Sequence, residues 1–402
     1  MGRPRSFGLL IRNVSEIGKE PVLRAYGWAM LASHGVVFLF LLATGKLALL
    51  TTDVEPLCWP YFPSCWKHRL VSDDQANLLL VAYLGLILIG TVTLLRADLR
   101  SFWVTLVATN VLLFGIMSLD YRFRDNELYM LFWVNFVFLF WPAKRWSIAL
   151  LIVCFYFWAG ALKLNYEWLS GADLYSDLYW IPSNLAWAAC AYVVAMEMVL
   201  IWGLLARRFW VLAITLAQLA IFHIESLSQI HWFYPLLMAV ILSWFVIDRV
   251  VGSSGDRPRL QMSMPRPARA LILLFAALQL APFLFGGQRA LTGQGRLFAL
   301  HMFEARQVCE VTAVMHYATG NSMSADLKLN SLPPRMICDP IVYYDRVRNL
   351  CRLRADYRIN DVDLVMKIRR TTDSAFYTVI DEEGFCRRNL TYSMVRNNSW
   401  LK

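Results

Sequence analysis

The chain has 402 residues, 58% of them hydrophobic and only 17% charged. That is too apolar for a water-soluble globule and indicates an integral membrane protein. A formal charge of +10 would suit a nucleic-acid surface, but the cations gather at alternate ends of apolar segments, which marks them as topology determinants and excludes a nucleic-acid partner.

Residues 1–25 form a basic lead. They lack the short apolar core and small-residue cleavage site of a signal peptide, so the first span is expected to act as an uncleaved anchor. Nine windows then read as spans: 26–50, 75–95, 102–119, 127–142, 146–164, 184–205, 209–226, 231–248 and 269–287. With the N-terminus inside, the inner segments hold sixteen Lys and Arg residues between Arg3 and Arg269. The outer loops between spans hold four: Lys67, Arg69, Arg122 and Arg124. This asymmetry predicts a cytoplasmic N-terminus and an exoplasmic C-terminal region, in a bacterial inner membrane or a secretory-pathway membrane.

An inner linker rich in Ser, Gly, Pro and Arg, residues 252–267, divides the helical domain of residues 26–287 before its last span. Residues 288–402 change character. Apolar and polar residues alternate from Asp361 to Ile368 and again from Phe376 to Ile380, predicting a small, mainly β domain. Cys58 and Cys65 fall in the first outer loop, and Cys309, Cys338, Cys351 and Cys386 in the C-terminal region. Six exoplasmic thiols fit disulfides in an oxidising compartment, with connectivity left open. Metal binding by Cys58 and Cys65 matches no common zinc spacing. Cys154 and Cys190 read as apolar filler in spans. The fold class is therefore mostly α: a polytopic transmembrane bundle of about nine spans bearing a small, mainly β, disulfide-braced exoplasmic domain. Sequons at Asn389 and Asn397 would lie outside.

The residue with the most chemical content is Lys163, near the outer end of the fifth window. An ammonium in hydrocarbon costs several kcal/mol, so it either snorkels to the interface beside Tyr166 and Trp168 or lines a polar cavity where it can serve as a base. Tyr156, Ala159 and Gly160 share its helix face, and the two small residues would let a backbone or ligand approach the amine. The following outer loop has Glu167, Asp173 and Asp177 among aromatics but no Lys or Arg, an arrangement able to orient a planar or cationic ligand. Other polar groups fall at membrane depth: His34, Asn110, Asn135, Glu197, Gln218, His223 and Glu225. Of these Glu197 stands out, since a mid-span carboxylate needs a proton or a cation such as Lys163. His223 is the next candidate for cavity lining.

The stretch Tyr156-Phe157-Trp158-Ala159-Gly160-Ala161-Leu162-Lys163-Leu164-Asn165-Tyr166-Glu167-Trp168-Leu169-Ser170-Gly171 resembles the lysine motif of vitamin K-dependent γ-glutamyl carboxylase and its relatives, the HTTM (horizontally transferred transmembrane) domain proteins. Leu23-Arg24, Phe222-His223, Ile230 to Pro235 and Gly287 to Phe303 are similar to further family segments in the same order, so the likeness covers residues 20–305. It implies that Lys163 is the base that deprotonates a reduced, vitamin K-like quinone, with Tyr156, Gly160 and Trp168 around the cofactor. The chain departs from the family where carboxylases carry a histidine and Glu127 stands here, and in lacking their large C-terminal portion. Glu127, Glu197 and His223 are candidates to orient the ligand or balance charge. The expected function is a lysine base acting on a quinone-type or lipidic molecule in an exoplasmic-facing cavity, a carboxylase-like lyase or oxidoreductase. The rival reading is a non-catalytic scaffold or maturation partner that presents its outer domain to an exported protein or peptide. Membrane lipids are partners on either reading.

Overall fold

The computed structural model describes residues 5–252, 263–300, 306–329, 332–334 and 336–402. Most of the inner linker, and the end of the Gly287 to Phe303 segment, lie outside the described residues.

The helices follow apolar runs and stop where capping or breaking residues stop them. In chain order they are α1 (Arg5–Lys19), α2 (Pro21–Thr44), α3 (Asp73–Leu95), α4 (Leu99–Ser118), α5 (Asn126–Phe140), α6 (Lys144–Leu162), the one-turn α7 (Tyr166–Leu169), α8 (Ala186–Met198), α9 (Phe209–Glu225), α10 (Phe233–Val251) and α11 (Arg266–Leu280). Among the described residues, eight segments built on α2, α3, α4, α6, α8, α9, α10 and α11 are long and apolar enough to cross a membrane. α5 is apolar but shorter, at 15 residues. Asp98 caps α4 by accepting from the Ser101 amide at 3.1 Å. Trp141 takes an extended conformation before Pro142 and ends α5.

Within the basic lead, Arg5–Lys19 is helical. α1 ends one residue before α2, whose first turn contains Pro21, the position where a missing N–H costs nothing. α1 is held by Lys144, whose Nζ donates to Asn13 Oδ1 at 2.7 Å and whose amide donates to Glu16 Oε1 at 2.8 Å. Arg145 Nε donates to Asp248 Oδ1 at 2.6 Å, joining α6 to α10.

After the bundle come α12 (Arg289–Thr292), β1 (Gln307–Tyr317), β2 (Ser322–Asp326), α13 (Pro340–Arg352), β3 (Ile359–Arg370), β4 (Tyr377–Glu382) and α14 (Phe385–Arg388). The strands form one antiparallel sheet in the order β2-β1-β3-β4, and the alternating runs at Asp361 and Phe376 supply β3 and β4. This sheet is the small, mainly β domain expected from the sequence, and beside it the 13-residue α13 packs on β3. Its start is legible: Asp339 accepts from the Ile341 amide at 3.0 Å, and Pro340 is in the first turn.

All six predicted thiols are paired, as Cys58–Cys65, Cys309–Cys338 and Cys351–Cys386; Cys154 and Cys190 are free and buried. The first bridge lies in the loop between α2 and α3, not the C-terminal domain, but the two share a core, since Leu57, Trp59 and Tyr121 pack with residues of the sheet and α13. Polar ties reinforce this. The Cys58 amide donates to Asp345 Oδ2 at 2.7 Å and Asn349 Nδ2 donates to Pro56 O at 3.1 Å. Arg124 adds an ion pair to Asp339 at 2.9 Å, while Arg69 and Arg122 pair with the fully buried Asp120 at 3.2 and 2.5 Å.

Candidate functional site

Lys163 is the C-cap residue of α6, one position past the last helical residue. Asn165 causes the stop: its Nδ2 donates to Leu162 O at 2.9 Å while its Oδ1 accepts from the Trp168 amide at 2.8 Å, so one side chain closes α6 and caps α7. Trp168 is buried and its Nε1 donates to Cys190 O of α8 at 3.0 Å, which fastens this turn to the neighbouring helix. Gly171 turns the chain in the left-handed region at φ 82°, where its missing side chain admits Ala186.

The lysine does not snorkel. It is 1% exposed, and its Nζ donates to both carboxylate oxygens of Glu197 at 2.6 Å. Glu197 is completely buried on α8. Gly160 makes this meeting possible: a Cβ there would lie 2.8 Å from Met198 Cγ and 2.9 Å from Glu197 Cβ. α6 and α8 therefore approach at a distance that only glycine allows. The Nζ also sits 5.1 Å from the centre of the Trp168 ring and 5.5 Å from that of Phe222.

A second polar pair lies alongside. Tyr156 Oη and His223 Nε2 are 2.7 Å apart, both buried, and the His223 carbonyl accepts from Ser226 Oγ at 2.7 Å. Tyr234 of α10 meets the imidazole edge-on at 5.0 Å, so α6, α9 and α10 converge here.

Beside Lys163 is a cavity of about 180 Å³ with an almost wholly apolar wall that includes Trp168, Cys190, Met196, Phe222, Ile230 and Tyr234. Gln218, Glu225 and Gln229 add polar groups to its lining. Leu174, Leu178 and Ile181 close it from the loop between α7 and α8. That loop is pinned by Gln229, whose Oε1 accepts from the Tyr175 amide at 2.8 Å and whose Nε2 donates to Ser176 O at 2.7 Å, and by Glu225, which accepts from the Tyr179 amide. The C-terminal domain holds the loop from above. Thr372 Oγ1, in the β3–β4 turn, donates to Glu167 Oε1 at 2.6 Å, and Arg306 Nη1 donates to Leu174 O at 3.0 Å.

Of the residues expected at the site, Lys163, Glu197, Tyr156, His223, Gly160 and Trp168 come together. Glu127 does not join them: buried in the first turn of α5, it lines a different and larger cavity. Cys190, read as filler, belongs to the chamber wall. Asp173, in sequence only one acid of an outer loop, is 2% exposed, and both it and Lys163 act electrostatically on Cys190. Gln229 and Thr372 carried no sequence signal, because their partners are distant in the chain.

Comparison with protein-family models, curated proteins and solved structures gives no match. Functional inference therefore starts from the geometry.

Proposed function

We propose that this chain is a multispan membrane protein of the γ-carboxylase-like HTTM class, in which Lys163 is a general base toward a quinol-type or other lipidic small molecule held in the adjoining chamber. One observation carries the reading: a buried lysine, held at 2.6 Å by both oxygens of a buried carboxylate, forms the polar end of an apolar chamber. Retaining a buried ion pair seldom stabilises a fold more than apolar packing would, so its presence favours a chemical role.

A planar ring fits the chamber's composition: Trp168 and Phe222 offer ring faces and Lys163 a hydrogen-bonding head. A reduced quinone bound there would supply an acidic hydroxyl and two reducing electrons. The protein's own part is proton handling. Moving the proton along the 2.6 Å bond from Lys163 Nζ to Glu197 turns the ion pair into an amine and a carboxylic acid. The amine then accepts the ligand's hydroxyl proton, regenerating an ammonium beside the new oxyanion, and dry walls strengthen that attraction. Tyr156 and His223 position the neighbouring wall, and α7 with its loop excludes water.

The test is to identify small molecules extracted with the purified protein by mass spectrometry, then measure turnover or phenotype for Lys163→Ala and Lys163→Arg. A co-purifying quinone and loss of activity in Lys163→Ala support the reading; activity retained in both variants removes the base. The docked, disulfide-braced outer domain favours a second reading, a scaffold for an exported protein. That reading expects cysteine substitutions to abolish function while Lys163 variants keep it.

A further inference from the structure

The chamber beside Lys163 is shut on one side and open on another. Toward the C-terminal domain, Leu174, Leu178 and Ile181 close it. α7 and the loop that carries these residues are fastened at Glu167 by Thr372 and at Leu174 by Arg306. Gln229, Glu225 and Ser228 bond to the same loop at Tyr175, Ser176 and Tyr179. A solute coming from that side would have to break several of these bonds.

The wall between α8 and α9 is built differently. These consecutive helices are joined at one end by the 3₁₀ segment Leu200–Leu205, which packs on both. A Cβ on Gly203 would strike Thr215 Oγ1, so the glycine lets this segment close on α9. Over the first half of α8 and the second half of α9 the two helices line the chamber from opposite sides, with Tyr192 and Val193 facing Gln218 and Ile221 across it. Tyr192 is 49% exposed and Ile221 56%, although both line the chamber. A residue that lines a cavity and is half exposed at the protein surface marks an opening, and here one stands on each side of it. Both helices belong to segments long and apolar enough to cross a membrane. Exposed Tyr179, Trp180 and Trp187 crowd the start of α8, as aromatic side chains do at a bilayer's edge. Tyr192 lies five residues past Trp187, about 7.5 Å at helical rise, which sets the opening beneath that belt, among acyl chains.

The chamber's volume of about 180 Å³ is below the ~300–1,000 Å³ of ordinary small-molecule pockets, so it takes a compact group, and its apolar wall favours an uncharged one. We infer that this group enters from within the bilayer, through the window between Tyr192 and Ile221, and not from water through the loop. The ligand is then a compact, uncharged molecule already dissolved in the membrane, and charged solutes of the same size are kept from Lys163. Tyr192 and Ile221 set the size of what passes. The inference takes the chamber as a ligand site from the reading above, but it does not require Lys163 to be a base, and thiol access reads the route without any turnover.

Cys190 lines the chamber, and Cys154 is the other free cysteine, so in the full-length Cys154→Ala protein Cys190 reports on entry. The protein in lipid nanodiscs, which leave both faces in contact with water, is treated with methyl methanethiosulfonate or with its charged trimethylammonium-ethyl analogue. Modification of Cys190 is followed by mass spectrometry, each rate divided by that at a free thiol in solution. The uncharged reagent is expected to be faster by roughly a hundredfold, the penalty for a charge at membrane depth. Tyr192→Ala, which widens the window, is expected to raise the uncharged rate several-fold, and Ile221→Trp, which fills it, to lower that rate by as much; opposite signs rule out a common folding defect. Equal rates for the two reagents, or rates that follow Thr372→Val but ignore both window variants, would place entry at the loop and overturn the inference. So would a Cys190 that neither reagent reaches in the folded protein.

Discussion

Lys163→Met is the sharpest perturbation of the site, because it removes the ammonium that both Glu197 oxygens accept from at 2.6 Å. Glu197 is 0% exposed, so its carboxylate is left in a medium that cannot solvate it. Breaking one side of a buried ion pair costs about 3–5 kcal/mol, whereas replacing both members by apolar groups of similar volume is near neutral or stabilising by about 1–4 kcal/mol. The single variant should therefore be the less stable one, and Lys163→Met with Glu197→Leu should recover most of the loss. Reversible unfolding in mixed micelles, followed by tryptophan emission during a denaturing-detergent titration, measures both. A coupling energy of at least about 2 kcal/mol is expected from the cycle completed with Glu197→Leu. A coupling below about 0.5 kcal/mol would mean that water or another group replaces the lysine, and the dry-chamber argument would fail with it.

Gly160→Ala places a methyl 2.8 Å from Met198 Cγ and 2.9 Å from Glu197 Cβ, and is expected to cost about 1–3 kcal/mol in the same titration, with partial relief from Met198→Ala. Burial pushes the Asp345 carboxyl up to about 7 from its ordinary 3.8, against the opposing Cys58 amide and nearby arginines. The folded state thus keeps a proton that the unfolded state has lost, and stability is full below about pH 4 and falls as pH rises to about 7. Asp345→Asn keeps an acceptor for Cys58 and should flatten that slope, gaining a few kcal/mol in unfolding at pH 8, since each tenfold change in proton affinity is worth about 1.4 kcal/mol. Opening Cys351–Cys386, which spans 35 residues, should cost about 4 kcal/mol against about 2 for Cys58–Cys65, which spans 7; limited proteolysis of the outer domain under mild reduction ranks them. Lys402→Cys should react with a membrane-impermeant maleimide from the outer face only, and reaction solely after permeabilisation would reverse the proposed topology.

The helical part of the fold was legible because long apolar runs are a strong signal: each of the nine windows overlaps an apolar helix, and eight of these are long enough to cross a membrane among the described residues. The cysteines were legible as an even set of six lying in segments outside the apolar runs, and all six are paired. What escaped was whatever depends on contacts between segments distant in sequence. α13 shows no clean apolar stripe, because Ile341 to Asp345 are buried without a break, between the sheet on one side and Pro56 and Cys58 on the other. The shared core of the outer loop and the C-terminal domain could not be read either, because Leu57, Trp59 and Tyr121 look like ordinary interfacial residues until the sheet is laid over them.

The site divides along the same line. Composition says that a membrane-level lysine and a mid-span carboxylate are each costly, and cost alone suggests that they meet. It cannot say that Asn165 halts α6 with the amine just past the helix end, nor that Gly160 brings α8 near enough for the bond. Those two residues turn a motif into a geometry, by local capping and by steric absence. Glu127 shows the converse. The family resemblance grouped it with Lys163, in the place of a histidine, but it heads α5 and lines the larger cavity while Lys163 ends α6 and lines the small chamber, with Gln229 and Ile230 between them. A carboxylate so placed bears on what occupies the larger cavity, and Lys163 on what enters the chamber. Substitutions at Glu127 and Lys163 should then act independently on the contents of the two cavities, and a shared effect on both would mean that one ligand spans them.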